Sequence, residues 1–155
     1  MAACALAGLA AGLRALAAGA LAVMAVLVTA QVALRYLGGG APAFTEEMAR
    51  YAMIWSALLA AAVAVREGTH IRVDLLPGLI GRAMPGLARA LARLLEAVTL
   101  LVLVILAWQG LDMVAFAHGA RSEGLQLRLS YPYAVLPAAF ACASLFAAAR
   151  LFARR

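Results

Sequence analysis

ALAAGALAVMAVLVTAQVAL, residues 15–34, lies between Arg14 and Arg35 and contains no charged side chain. A helix of about 20 apolar residues is what crossing the ~30 Å hydrocarbon layer of a bilayer requires. The whole chain has the same character, because 67% of its residues are hydrophobic and 13% are charged. A soluble domain of about 150 residues buries roughly 70% of its surface, which is too little to hide so much apolar area. The sequence therefore predicts an integral membrane protein.

Three further apolar runs follow along the chain. Residues 129–149 form a second full-length run, whereas residues 51–65 and 97–111 are shorter. The short runs reach spanning length if each helix continues into its charged flank, from which long arginine side chains reach the membrane surface. We predict an all-α, single membrane domain over residues 1–155, with transmembrane helices at about 14–37, 45–66, 88–117 and 129–151. The Ala- and Gly-rich residues 1–13 are expected to be a frayed or interfacial lead-in to the first helix.

The distribution of arginine predicts the orientation, since cytoplasmic segments of membrane proteins carry an excess of Lys and Arg. With the N-terminus in the cytoplasm, nine of the 13 basic residues fall inside and four fall outside. Both termini are therefore expected in the cytoplasm. A cleaved signal peptide is disfavoured, because Arg14 follows the first apolar stretch and the run beyond it is long enough to span. The arginines form no patch with interleaved aromatic residues, which argues against a nucleic-acid partner.

The second span has a polar beginning. Thr45 is predicted as the helix N-cap, and the two carboxylates that follow it interact favourably with the positive end of the helix dipole. Glu46 and Arg50 are spaced for an i, i+4 pair. Two aromatic residues share a face near the membrane interface, where aromatic rings anchor. Because two acids and an arginine exceed what capping needs, we expect contacts with a partner chain from Glu46, Glu47, Arg50, Tyr51 and Trp55.

AVREGTHIRVDLLP, residues 64–77, contains a second polar cluster. Gly68 is expected to end the second helix, and an amphipathic connector beyond this stretch is expected to lie along the inner leaflet. One His and one Asp are too few for a metal site, and a His–Asp pair here lacks a nucleophile. No catalytic, metal, cofactor or substrate-binding residue is predicted. The cluster is either a solvated connector held by an Arg–Asp pair or a subunit contact made by Arg66, His70, Arg72 and Asp74.

Polar residues near the ends of the third span are expected to form local pairs instead of a solute pathway. Glu96 follows Arg93 by one turn, and Gln109 and Asp112 lie near the other end. In the last span, Pro137 removes a backbone hydrogen bond and is expected to kink the helix. We interpret that kink as shape matching in a scaffold.

These motifs resemble, in their order, the small membrane subunit of tripartite ATP-independent periplasmic (TRAP) transporters, the DctQ-like family. The matching blocks are L-R-Y at 34–36, E-E-x-A-R-Y at 46–51, V-R-E-G-x-H-I-R-V-D at 65–74 and L-P-x-x-F at 136–140. A tryptophan follows the second block by one turn. The resemblance covers roughly residues 20–150. The departures from the family pattern affect packing positions and are Ser122, Tyr131 and Ala139.

The resemblance implies a membrane subunit without chemistry of its own, and so not an enzyme. Members of this family pair with a larger permease subunit (DctM-like), which holds the substrate and sodium sites, and with a periplasmic solute-binding protein. Uptake of the solute, expected to be an organic acid, would be driven by the sodium gradient. The chain is then expected in the bacterial inner membrane, surrounded by lipid, as a fixed scaffold beside a moving transport domain.

Three other functions also suit a four-helix membrane protein. A small multidrug exporter needs a membrane-embedded carboxylate in its first span, and residues 15–34 contain none. A haem-carrying membrane anchor needs axial histidines within its spans, yet His70 and His118 lie in connectors. A small subunit or anchor of another membrane complex is separated from a TRAP subunit by the resemblance alone.

Overall fold

The computed structural model describes residues 2–37, 40, 42–68 and 85–153. The helices in this part of the chain are α1 (Ala2–Tyr36), α2 (Ala43–Glu67), α3 (Pro85–Ala117), α4 (Ser130–Tyr133) and α5 (Val135–Ala153). Among the described residues, four helical segments are long and apolar enough to cross a membrane, and α4 and α5 together form the last of them. The prediction of an all-α membrane fold with four spans is confirmed.

The charged flanks of the two short apolar runs are helical, as the length of a membrane span requires. α2 has 25 residues, which corresponds to about 37 Å at 1.5 Å per residue. α3 has 33 residues, which corresponds to about 50 Å. Both helices are longer than the ~30 Å hydrocarbon layer, so their polar ends extend to the membrane surface.

The beginning of the chain differs from the sequence prediction. α1 is continuous from Ala2, so of the frayed or interfacial lead-in expected over residues 1–13 the frayed alternative is wrong for the residues described, and the interfacial one stays a prediction. Ala10, Leu13 and Ala17 are buried, with exposed fractions of 0%, 7% and 8%. Their spacing of three and four residues places them on one face of α1, and that face packs into the hydrophobic core. Burial of this face stabilises turns that Ala and Gly composition alone would leave marginal.

The helices form an open layer in which α1 packs on α2, α2 packs on α5, and α5 packs on α3. Among the described spans, α2 and the last span lie in the centre and bury 33% and 28% of the residues in their most apolar stretch. The corresponding values for α1 and α3 are 6% and 0%. The outer helices therefore present long apolar faces to their surroundings. We call the end of this layer at which α2 and α5 end the Arg150 end, and the opposite end the Glu47 end.

The hydrophobic core lies mainly between α2 and α5. Leu59 of α2 is 4% exposed, and Val135 and Phe146 of α5 are 2% and 1% exposed. Small residues at the same interface, Ala62 and Ala139, are each 2% exposed. Without side-chain bulk, the two helix backbones approach closely, which is how helices associate where apolar surroundings give them no hydrophobic driving force.

The last span is interrupted at Ala134, between α4 and α5. In a regular helix, Pro137 offers no N–H to the carbonyl of Tyr133, and its ring clashes with that carbonyl. The Ala134 backbone keeps helical angles, with φ of −59° and ψ of −22°, so the predicted kink stays a prediction. Gly110 of α3 faces Pro137, and a Cβ at residue 110 would lie 3.0 Å from the Pro137 nitrogen and 3.1 Å from its Cα. The glycine lets the two helix backbones meet directly.

The start of α2 also differs from the prediction that Thr45 caps it. The N-cap is Pro42, and the Thr45 hydroxyl donates to the Pro42 carbonyl at 2.7 Å. A threonine hydroxyl can bond to a carbonyl one turn back along the helix. Thr45 therefore sits inside the first turn, and the helix begins two residues earlier, at Ala43.

Candidate functional site

Five of the predicted contact residues lie on two stripes of α2. Glu46 and Arg50 form one stripe, and the predicted pair between them is confirmed at 3.4 Å between Arg50 Nη2 and Glu46 Oε1. Their side chains are 72% and 64% exposed, and such surface pairs contribute only about 0.3–0.5 kcal/mol. Glu47, Tyr51 and Trp55 form the second stripe, at intervals of four residues, and this stripe faces the rest of the chain.

Glu47 is bound within its own chain. Its Oε2 accepts hydrogen bonds from the backbone N–H groups of Gly124 at 2.9 Å and Leu125 at 3.1 Å, and its Oε1 accepts one from the Tyr51 hydroxyl. The Leu125 N–H also donates to the hydroxyl of Ser122 at 3.2 Å, a side chain that is buried. The carboxylate therefore organises the 118–129 loop, which joins α3 to α4.

Trp55 continues the same stripe of α2. Its indole Nε1 donates to the carbonyl of Pro132 in α4 at 3.1 Å. Together, Glu47, Tyr51 and Trp55 fix the 118–129 loop and the start of the last span, and we call these three residues the α2 clasp. The spacing of the three residues is visible in the sequence, but the loop amides that bind Glu47 and the carbonyl that binds Trp55 lie more than seventy residues away. Sequence reasoning consequently assigned them to a partner chain or to the membrane interface.

Replacing Glu47 with alanine is expected to release the Gly124 and Leu125 amides, because the variant removes their acceptor. Hydrogen exchange at these two amides should accelerate several-fold relative to the native chain, measured on protein in lipid nanodiscs. Glu46→Ala is the matched control, since the Glu46 carboxylate pairs with Arg50. Equal exchange in the two variants would contradict the clasp.

The Arg150 end of the layer is held by Arg150, a residue of α5 that sequence reasoning did not single out. Its Nη1 donates to the Val65 carbonyl near the end of α2 at 2.8 Å, and its Nη2 donates to Glu96 Oε1 of α3 at 3.4 Å. The Arg150 and Glu96 side chains are 23% and 16% exposed. A cation at this position also interacts favourably with the negative end of the α2 dipole. One guanidinium thus connects three helices, and the sequence, which suggested Arg93 as the partner of Glu96, did not reveal it.

The end of α2 makes further contacts beside Arg150. The Arg66 guanidinium lies over the Phe146 ring, 5.9 Å from its centroid, which is the distance of a cation–π interaction. Glu67 pairs with Arg14 of α1. Gly68 ends the helix in the left-handed conformation, with φ of 70°, as predicted. Arg66, a predicted subunit contact, therefore has a partner inside the chain.

The remaining predicted contact residues, His70, Arg72 and Asp74, lie outside the described residues, as does the predicted amphipathic connector. Their role in subunit contact stays a prediction. Within the described ranges, no group of three or more His, Cys, Asp or Glu side chains could hold a metal ion. A groove between α1 and α2 is lined mainly by small apolar residues, and its charged groups are the paired Arg14 and Glu67.

The sequence of this four-span layer matches a family of known proteins. Residues 24–155 match the family model described as "Tripartite ATP-independent periplasmic transporters, DctQ component". This chain belongs to the DctQ family. The match includes the last third of α1 and all of the later described helices, so it covers both the α2 clasp and Arg150 with its partners. The family predicted from the sequence motifs is confirmed.

Two curated proteins are similar to this DctQ chain. It is 34% identical over 134 residues, 81% of its length, to the isethionate TRAP transporter permease protein DctMQ of Oleidesulfovibrio alaskensis, of which the match covers 20%. It is 43% identical over 56 residues, 36% of its length, to a protein of Haemophilus influenzae described as a TRAP transporter small permease protein, of which the match covers 35%. The chain thus spans about a fifth and about a third of these relatives. Family and fold together identify a multi-pass protein of the bacterial inner membrane.

Proposed function

We propose that this DctQ chain is a non-catalytic scaffold for the large permease subunit of a TRAP transporter that takes up an organic acid. The energy source is the sodium gradient, and a periplasmic solute-binding protein delivers the solute. The observation that carries the proposal is the family match over residues 24–155. The relative named DctMQ supports the partnership, because the part similar to this chain makes up 20% of that longer polypeptide.

Three hydroxyl groups of the described spans support a scaffold in preference to a carrier. A carrier of a polar solute needs polar side chains or broken helices that converge near the middle of the membrane. The hydroxyls of Thr29, Thr99 and Ser144 instead bond at 2.8 Å to carbonyls of their own helices. In the described part of the chain, the last span consists of two helical segments that meet near the Glu47 end, at Ala134, and not near the middle of the span. These features suit a membrane protein that binds another protein and not a solute.

The connections at the two ends of the layer also suit a scaffold. At the Glu47 end, the α2 clasp holds the 118–129 loop and the start of the last span. At the Arg150 end, one guanidinium connects α2, α3 and α5. Helices fixed to each other at both ends move as a unit. Such a rigid unit can serve as a fixed support for a large subunit whose transport domain moves.

The orientation is part of the proposal. With both termini in the cytoplasm, nine of the 13 basic residues of the sequence fall on the cytoplasmic side, and the excess of arginine on that side supports this orientation. The 118–129 loop then lies in the periplasm, on the side from which the solute-binding protein approaches. The amphipathic connector and His70 lie in the cytoplasm.

Reconstitution tests the function. We expect this chain to co-purify with the large permease subunit of the same genome when the two are co-expressed. In liposomes, sodium-gradient-driven uptake of an organic acid should need both chains and the solute-binding protein, and should be absent with this chain alone. Solute uptake by this chain alone, or full uptake when it is omitted, would refute the scaffold function.

Thiol labelling of the same cells tests the orientation separately. In a background of Cys4→Ala and Cys142→Ala, a Thr69→Cys variant should resist a membrane-impermeant maleimide added to intact cells. Glu123→Cys in the 118–129 loop should react, and it serves as the positive control. The reverse labelling pattern would overturn the orientation and leave the scaffold function standing.

A further inference from the structure

Two polar side chains of α3, Gln109 and Asp112, point away from the rest of the described chain. Leu103 and Gly110 mark the inward face of this helix, since Leu103 packs against the hydrophobic core and Gly110 meets Pro137. At 100° per residue, Asp112 lies roughly 160° around the helix from Gly110. Both polar residues are exposed, whereas Gly110 is buried. The helix therefore turns an amide and a carboxylate outward.

Both residues also belong to the apolar helix α3, on the side of its centre toward the Glu47 end. Glu96, held by Arg150 at the other end of the layer, lies roughly 24 Å along the helix from Asp112 at 1.5 Å per residue. A ~30 Å hydrocarbon layer that starts near Glu96 reaches to about Ala117. Asp112 is then about 7 Å inside the layer, and Gln109 about 12 Å inside it. Ionisable side chains at such depths face protein or water-filled cavities far more often than lipid.

Neither side chain has a partner in the described residues. Their atoms make no hydrogen bond or ion pair there, although local pairs were expected from the sequence. The carboxylates of Glu47, Glu67 and Glu96, by comparison, each bind a donor from another helix or loop of the chain. An outward-facing carboxylate without a partner, inside the membrane, indicates that the donor comes from outside this chain.

The surroundings of these two residues form a continuous apolar surface. Leu101, Ile105, Trp108 and Phe116 lie on the same side of α3 and are 60%, 46%, 71% and 83% exposed. Large aromatic residues beside a few polar groups are the composition of the centres of protein–protein interfaces. We call this surface the α3 outer face: Leu101, Ile105, Trp108, Gln109, Asp112 and Phe116.

We propose that the α3 outer face binds a transmembrane helix of the large permease subunit that presents a cationic or hydrogen-bond-donating side chain to Asp112. This inference rests on the proposed function and names the surface and the chemistry of the contact. Lipid tails offer no donor to a carboxylate. A second copy of this chain would bring a second Asp112 close to the first, and like charges in a low-dielectric site repel. A helix with a donor satisfies both polar side chains and covers the aromatic residues.

Co-purification of variants with the large subunit tests the contact. We expect Asp112→Leu and Gln109→Leu each to lower the amount of retained large subunit at least tenfold, while the thermal stability of the isolated chain is unchanged or raised. We expect binding to fall without a loss of thermal stability because neither side chain bonds within the described part of the chain. Glu123→Leu, an exposed residue of the 118–129 loop, is the control carboxylate and should retain the native amount. Native retention by Asp112→Leu, or destabilisation of the isolated chain, would overturn the proposal.

Cross-linking identifies the occupant of the surface. In a chain with Cys4→Ala and Cys142→Ala, Ile105→Cys carrying a benzophenone maleimide should give an adduct with the large subunit after illumination, and Leu103→Cys on the inward face should not. An adduct between two copies of the 16.0 kDa chain, or labelling of lipid alone, would overturn the proposed contact. The proposed function would still stand if the native chains co-purified. If the native chains do not co-purify, both the proposed function and this contact are wrong.

Discussion

Replacing Arg150 with alanine is expected to lower the free energy of unfolding by about 2 kcal/mol. The variant leaves the Glu96 carboxylate, 16% exposed, without this cation, and leaves the Val65 carbonyl without the donor now at 2.8 Å. Removing one partner from a largely buried pair costs more than the pair contributes, because the remaining charge stays desolvated. The measurement is an SDS titration of the isolated chain in mixed micelles.

Arg50→Ala is the matched control for Arg150→Ala. Arg50 is also an arginine paired to a glutamate at 3.4 Å, but its pair is 64% and 72% exposed, so the expected loss is at most about 0.5 kcal/mol. Adding Glu96→Gln to Arg150→Ala should recover part of the loss, since the desolvated charge that Arg150 faces is then gone. Equal stability of the two single variants would show that Arg150 does not join the helices.

Replacing Gly110 with leucine is expected to destabilise the chain by about 3 kcal/mol. The first atom of the new side chain would lie 3.0 Å from the Pro137 nitrogen and 3.2 Å from its Cδ. These are atoms of a backbone and a ring that cannot rotate away, so α3 and α5 must separate and lose packing along their whole contact. The same SDS titration measures the loss.

Gly19→Leu is the control for Gly110→Leu. A Cβ at Gly19 would meet nothing within 4 Å, and replacing glycine inside a helix is favourable by about 0.5–1 kcal/mol when space allows. The two substitutions are chemically identical, and we expect opposite signs. Destabilisation by both would mean that the effect at Gly110 comes from the residue change and not from contact with Pro137.

Much of this fold could be predicted from local features of the sequence. Residues 15–34 define a membrane span by length and composition alone, and the two short runs required helical flanks, which α2 and α3 have. Gly68 and Pro137 act through their own backbones, so their effects on helix ends and continuity were also predictable. The Glu46–Arg50 pair was predictable because one helical turn fixes its distance. The motifs of the chain identified the family.

The tertiary structure decided which polar residues have partners within the chain. Glu47 and Trp55 bind a loop and a helix about 77 positions away in the sequence, and their predicted subunit contacts stay predictions. The contacts by which Arg150 connects three helices were not predicted from the sequence. Asp112 was expected to pair locally, but its side chain faces outward. Hydrophobicity and helical spacing depend on neighbouring residues, so a sequence displays them directly. Which side chains meet across helices depends on how the faces of those helices pack, and that is determined by the whole chain together.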